Sequence, residues 1–182
     1  MGGRGSTYRG GSAGASASEL SAIAEYSMTG YSGTNYNLRN QNNTKEADLI
    51  SSGLNKSEKF TGRVYRGLRF DNQSAFDNFK STLNVGGTFQ DRAFMSTSKD
   101  QNIASRFYNS DPLGMAKGRV KFIISAKGKK GSDLGGIGIK KAEGEVLFNK
   151  KAKFKITGKK VVTERDRYGD KIKVLKVTMI EI

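Results

Sequence analysis

Two glutamates one residue apart, Glu143 and Glu145, carry the side chains of this 182-residue chain best placed for acid–base and electrostatic chemistry. On a strand, residues i and i+2 share a face, which sets their Cα atoms roughly 6.5 to 7 Å apart. Such a pair stabilises positive charge: one carboxylate beneath a developing oxocarbenium ion, the other reaching a guanidinium or activating an incoming group. Mutual repulsion should raise the pKa of one of them in the absence of ligand. The chain has no His and no Cys, so any proton transfer or nucleophilic step falls to carboxylates, hydroxyls or lysines. Thiol catalysis and zinc sites built from Cys or His are excluded.

Two further segments precede the glutamates. Ser96-Thr97-Ser98 puts two hydroxyls on one strand face and one on the other, able to bond a carboxylate, an arginine-bound group or a neighbouring strand. In Tyr65-Arg66-Gly67, Gly67 would let a ligand approach the backbone while the Arg66 guanidinium forks onto a diphosphate. Each segment alone has a plainer reading. Glu-x-Glu is more often a solvated strand face with Val146 and Phe148 turned inward, Ser-Thr-Ser a polar strand end, and Arg66 a solvated strand residue. Leu147 argues for a cleft, because alternation sets an apolar side chain on the same face as both acids. No hydrolase triad can be built on these serines without His. The glycine clusters at 128–131 and 135–138 match neither the Walker nor the dinucleotide-fold spacing. Residues 135–138 read better as a mobile loop leading into the two glutamates, suited to gating substrate entry.

The elements that must position these residues follow from local pattern. Residues 1–15, rich in Gly and Ser, carry too little apolar surface to repay ordering and are expected to form a flexible tail or linker. Residues 16–182 are expected to form one domain. Ser16-Ala17-Ser18-Glu19 has capping-box spacing, and Leu20, Ile23, Ala24 and Met28 then share a helical face. This helix should end before Gly30. A turn-rich aromatic segment is expected over 31–43, followed by a short helix opened by Asn43-Thr44-Lys45-Glu46 and stopping near Gly53. Residues 64–68 read as a strand. Ala75, Phe76, Phe79 and Leu83 mark a core-facing helix, and Gly86-Gly87 a turn. Residues 94–98 read as a strand, and Ser98-Lys99-Asp100-Gln101 caps a helix presenting Ile103, Ala104 and Phe107. Beyond Pro112 the chain is mostly β, with strands over 119–126, 143–148, 154–162 and 171–182. Helices first and strands later predict an α+β fold.

The net charge of +15 is unevenly spread: residues 117–160 hold 14 Lys and Arg against three acids. That stretch suits a nucleic acid, an acidic partner or a phosphate-bearing ligand. It suits a solvated, solubilising face at least as well, since few aromatics interleave with the lysines. No apolar run nears the ~18 residues of a membrane span, and residues 120–126, the longest candidate, are interrupted by Lys121. No secretory signal peptide is evident.

Taken in order, the three segments resemble the mono-ADP-ribosyltransferases of the Arg-Ser-Glu class, a group of bacterial toxins and phage-encoded transferases. Tyr65-Arg66-Gly67 resembles the arginine motif, Phe94-Met95-Ser96-Thr97-Ser98 the Ser-Thr-Ser strand, and Glu143-Gly144-Glu145-Val146-Leu147-Phe148 the Glu-x-Glu strand. Tyr26, Tyr31 and Asn37-Leu38-Arg39 are similar to the helical segment that covers the NAD cleft. The resemblance implies N-terminal helices packed on a mixed, mostly antiparallel β core. It implies NAD as co-substrate, with no metal. Arg66, Asn37 and Arg39 would bind NAD, with Arg66 on the phosphates and the Gly67 backbone on the nicotinamide amide. Ser96 would orient the catalytic glutamate, with Thr97 and Ser98 bracing the strand. Glu145 would stabilise the oxocarbenium ion, and Glu143 would position the acceptor and take its proton. A Glu at position 143 goes with arginine acceptors. Residues 135–141, including Ile137, Gly138 and Ile139, fall where the family places its acceptor-recognition loop, here without an aromatic.

The expected activity is therefore transfer of ADP-ribose from NAD to arginine of a target protein by a toxin or effector. An NAD glycohydrolase and a non-enzymatic basic module that binds nucleic acid are the alternatives. Expected partners are NAD, an arginine-bearing protein acceptor, an anionic partner or nucleic acid on the basic face, and a neutralising antitoxin, with no membrane. The expected enzyme is a monomer acting in the cytoplasm of a host or target cell.

Overall fold

In the computed structural model, residues 14–139, 142 and 144–182 are described. The expected tail, apart from its last two residues, lies outside them, as do Lys140, Lys141 and Glu143.

The first layer is helical. Helix α1 (Ala17–Glu25) starts as its sequence dictates: the Ser16 hydroxyl accepts from Glu19 N, and the Glu19 carboxylate accepts from Ser16 N at 2.7 Å. The helix does not end before Gly30. A π-helical turn (Tyr26–Gly30) carries the chain directly into α2 (Tyr31–Arg39), over the segment expected to be turns. Burial of Tyr26, Thr34, Asn35 and Leu38 holds helical a stretch whose Gly and Asn content disfavours it. Helix α3 (Lys45–Lys56) is capped by Thr44, which accepts from Ala47 N at 3.1 Å, and it runs through Gly53. Gly53 is a crossing point rather than a stop: a Cβ there would lie 3.0 Å from both Glu19 Cβ and Ile23 Cδ1 of α1.

The second layer is one eight-stranded sheet. Its strands are β1 (Thr61–Phe70), β2 (Thr88–Gln90), β3 (Met95–Ser98), β4 (Gly118–Lys127), β5 (Gly131–Asp133), β6 (Glu145–Phe148), β7 (Lys153–Arg165) and β8 (Lys171–Glu181). They lie in the order β2-β7-β8-β4-β1-β3-β6-β5, with β4 and β8 parallel and the other pairs antiparallel. The α+β class and its mixed, mostly antiparallel sheet are thus as expected. The three-residue strands β2 and β5 were not, being too short to show a period.

The sheet works as two halves that meet at a single register pair, Tyr65 with Ser98. Their inner faces pack on each other: Val64, Phe122, Ile124 and Val177 from one half share a core with Met95, Val146 and Phe148 from the other. Phe148 and Phe154 meet edge to face at 5.1 Å. Helix α4 (Gln73–Ser81) closes one end of this core with Phe76 and Phe79; Ala75 is exposed and Leu83 is buried just past the helix. A second core lies between α1 to α3 and the other face of β3 and β6, and includes Ile23, Tyr26, Ile50, Phe94 and Leu147.

Helix α5 (Gln101–Ser105) departs from expectation. Its N-cap is Asp100, accepting from Asn102 N at 2.8 Å, while the Ser98 hydroxyl accepts from Asp100 N instead. Only Ala104 is buried; Ile103 and Phe107 are exposed, because a five-residue helix lying on β1 has a single residue facing the sheet.

Candidate active site

Strand β6 sets the first functional side chain. Alternation turns Val146 and Phe148 into the core between the sheet halves, and Glu145 and Leu147 towards the helices. The strand starts at Glu145, because Gly144 before it has φ 84, a left-handed conformation suited to glycine. The expected strand start at residue 143, and with it the expected common face of the two glutamates, falls on Glu143, which lies outside the described residues. Opposite β6, Ser98 pairs with Glu145 and Ser96 with Leu147, so both hydroxyls share the face of Glu145. Thr97 points the other way, and its buried hydroxyl donates to the Val146 carbonyl at 2.7 Å, tying β3 to β6.

The π-helical turn supplies the partner of Glu145. The Ser27 hydroxyl donates to Glu145 Oε2 at 2.5 Å. The wider π turn sets Ser27 over the strand while Tyr26, one residue earlier, is fully buried and stands edge-on to Phe94 at 5.4 Å. The Tyr26 hydroxyl accepts from Asn35 Nδ2 at 2.9 Å. Burial pushes the Tyr26 pKa up, opposed by hydrogen bonds from Asn35 and Ser96 and by the Arg66 charge, with Glu145 also raising it. The Arg66 and Glu145 charges thus act on the Tyr26 hydroxyl in opposite senses.

Arg66 lies on the inner face of β1, on the same side as Val64 and Leu68. Its half-buried guanidinium crosses to β3, where Nη1 donates to the Ser96 carbonyl at 2.7 Å. Desolvation draws its pKa below the ordinary arginine value, while Asp91, Tyr26 and Glu145 pull it back up. Arg66 has no ion pair of its own among the described residues. The nearby Asp91 is taken: Arg39 forks onto it, Nε to Oδ1 at 3.2 Å and Nη2 to Oδ2 at 2.6 Å. Burial pushes the Asp91 carboxyl up, but the bonds from Arg39 and Ala93 N outweigh it and leave the group below its ordinary value.

The remaining expected residues divide. Arg39 reaches the same cleft wall but is engaged with Asp91, and Asn37 is half-buried two residues earlier, its carbonyl accepting from Asn42 N at 2.8 Å. Gly67 faces away from Arg66, where a Cβ would lie 2.2 Å from the Ala104 carbonyl oxygen and 2.7 Å from Tyr108 Cδ1. What requires glycine there is the approach of α5. Ile137 and Ile139 are buried in the core beneath the helices, and Gly136 and Gly138 are the exposed ones among the described residues of that segment. The segment is fastened through Ile137 N to Asp133 O at 3.1 Å and Ile139 N to Leu134 O at 2.9 Å. Ser27, Asn35 and Asp91 were not foreseen. The one available signal for Ser27 was its place directly after the buried face of α1.

The arrangement joins a hydrogen-bonded carboxylate, a desolvated guanidinium and a buried acceptor, Asn35 Oδ1, that has no partner among the described residues. Together they can bind an anion and stabilise a cation within one cleft.

Comparison with known proteins identifies the family of the chain. The chain is 35% identical over 108 residues to the mono(ADP-ribosyl)transferase SpvB of Salmonella typhimurium; the match spans 59% of this chain and 16% of that protein's length. Among solved structures it resembles the ADP-ribosyltransferase Vis of Vibrio splendidus in complex with agmatine, with a TM-score of 0.70 and 24% identity over 94% of this chain and 77% of that one. It also resembles exoenzyme S of Pseudomonas aeruginosa, bound to carba-NAD and in complex with human 14-3-3 protein beta, with a TM-score of 0.59 and 20% identity over 88% and 74%. The sequence profile of the ADP-ribosyltransferase exoenzymes matches residues 6–180, and the chain belongs to that family.

Proposed function

We propose that this domain transfers ADP-ribose from NAD to the guanidinium of an arginine on a protein acceptor, releasing nicotinamide. The observation that carries this reading is the Ser27 bond to Glu145 beside the unpaired Arg66 guanidinium. A desolvated guanidinium without its own carboxylate suits a diphosphate, which accepts its fork of N–H groups. Arg66 would hold the NAD phosphates at the opening between β1 and β3. Glu145, aimed by Ser27, would accept the nicotinamide-ribose hydroxyl and stabilise the oxocarbenium ion formed as the C1′–nicotinamide bond breaks. Ser96, beside the Tyr26 hydroxyl, would position that carboxylate.

Glu143 is assigned to the acceptor. As the new C1′–N bond forms, the guanidinium nitrogen loses a proton, and a carboxylate is its natural recipient. Vis has been seen with agmatine, a guanidino amine, which is the acceptor chemistry this reading requires. Residues 135–141 would meet the acceptor through the exposed Gly136 and Gly138, with Ile137 and Ile139 as buried anchors.

The test is incubation with labelled NAD and a host lysate. Wild type should label protein bands, Glu145→Ala should lose both labelling and NAD cleavage, and Glu143→Gln should lose labelling while still hydrolysing NAD. Free ADP-ribose from wild type with no labelled protein would overturn arginine transfer in favour of NAD hydrolysis.

A further inference from the structure

Part of the lysine excess of residues 117–160 lies away from the cleft, where the sheet register gathers it on one face. On β1, β4, β8 and β7, the residues that alternate with the core share an outer face. One cross-strand row on that face is Lys121, Lys176 and Lys160. Another is Arg63, Ser125, Ile180 and Lys155. Lys127 and Lys153 continue the alternation at the same end. Lys121 is buried and paired at 2.7 Å with Glu164, which lies four residues along β7 from Lys160 and pairs with Ile172, beyond these rows. The other six cations, Arg63, Lys127, Lys153, Lys155, Lys160 and Lys176, take part in no ion pair among the described residues.

The centre of this face is not charged. Tyr65, Ile123 and Thr178 form a third row, each half-exposed, and Ile180 beside them is 37% exposed. Among the described residues, α5 and Tyr108 cover the face at its Gly67 end. A solubilising surface intersperses acids with its lysines and exposes no contiguous apolar centre. A nucleic-acid platform would interleave aromatics for base stacking, and Tyr65 is the sole aromatic on these rows. An apolar centre with a one-sign rim is the anatomy of a protein interface steered by charge. We propose that the outer face of β1, β4, β8 and β7 docks an acidic protein surface that presents an apolar side chain at its centre.

The test uses the full chain against three labelled probes: a glutamate–tyrosine copolymer, polyglutamate of matched length and single-stranded oligothymidylate. Wild type should bind the copolymer best, with affinity falling as salt rises. Lys160→Glu with Lys176→Glu should weaken copolymer binding about tenfold or more. Lys45→Glu with Arg92→Glu, which removes the same charge elsewhere, should change it less than about twofold. Ile180→Ser should abolish the preference for the copolymer over polyglutamate. NAD cleavage should be unchanged in all three variants, which reports an intact fold. Equal losses in both double variants, tighter binding of oligothymidylate, or no binding by wild type would each overturn the proposal.

Discussion

Replacing Ser27 by Ala removes a single hydroxyl, the one that donates to Glu145 Oε2 at 2.5 Å. A hydrogen bond to a charged group contributes about 1.5 to 3 kcal/mol, and Glu145 is half-exposed, so water replaces part of the loss and the lower end applies. If that bond holds the carboxylate where positive charge develops, about 1.5 kcal/mol off the transition state is roughly a tenfold fall in kcat. The KM for NAD should hardly move, because phosphate binding is assigned to Arg66. The measurement is the initial rate of nicotinamide release over a range of NAD concentrations for wild type, Ser27→Ala and Ser27→Thr. Threonine keeps the hydroxyl and should restore most of the rate. Full kcat in Ser27→Ala, alongside an inactive Glu145→Gln and unchanged denaturation midpoints, would refute the reasoning.

Three further outcomes are expected. Gly67→Ala forces a methyl to 2.2 Å from the Ala104 carbonyl oxygen and should cost about 2 kcal/mol or more in urea unfolding as α5 is displaced; wild-type stability would mean α5 yields freely. The Glu19 carboxyl is held at about 2, below its ordinary 4.5, by hydrogen bonds from Lys56, Ser52 and the Ser16 backbone. Because its folded value is depressed, its contribution is full above 4.5 and is lost as pH falls towards 2. The stability gap between wild type and Glu19→Gln, measured by urea titration, should therefore close across that interval. Glu164→Ala strips the carboxylate from Lys121, which is only 8% exposed, and should cost about 2 to 3 kcal/mol, the partly exposed Glu164 keeping the figure below that of a fully buried pair. Adding Lys121→Met should recover much of that loss in the same assay.

What could be read from the sequence was whatever depends on short-range pattern. The Ser16 capping box, the Thr44 cap and the strands of residues 119–126 and 171–182 follow from spacings of a few residues, and each is present. The glycines misled in both directions. Gly30 and Gly53 looked like helix ends, yet the first lies within a π turn and the second lets α1 cross α3, reasons that exist only once the helices are packed. At the cleft, Arg66, Ser96 and Glu145 were legible because their motifs are contiguous. Their converging partners were not: Ser27 is 118 residues from Glu145 in the chain, and Asp91 is 52 from Arg39. No local period encodes such contacts. Phe107 was expected on the face of a helix that in fact ends at Ser105, and it is exposed.

The π turn at Tyr26–Gly30 has a consequence for which insertions and deletions the domain tolerates. Each residue added to or removed from a helix rotates everything downstream by about 100°. Deleting one residue from this turn would convert it to an ordinary α-helical turn at little local cost. The phase of α2 would nevertheless change, carrying Asn35 off Tyr26 and Arg39 off Asp91 in one step. The same deletion in the exposed hairpin between β7 and β8 would shorten a connection and leave every contact of the cleft in place. Length variation should therefore be tolerated at that hairpin and rejected between residues 26 and 30, where one residue sets the angular alignment of a whole wall of the cleft.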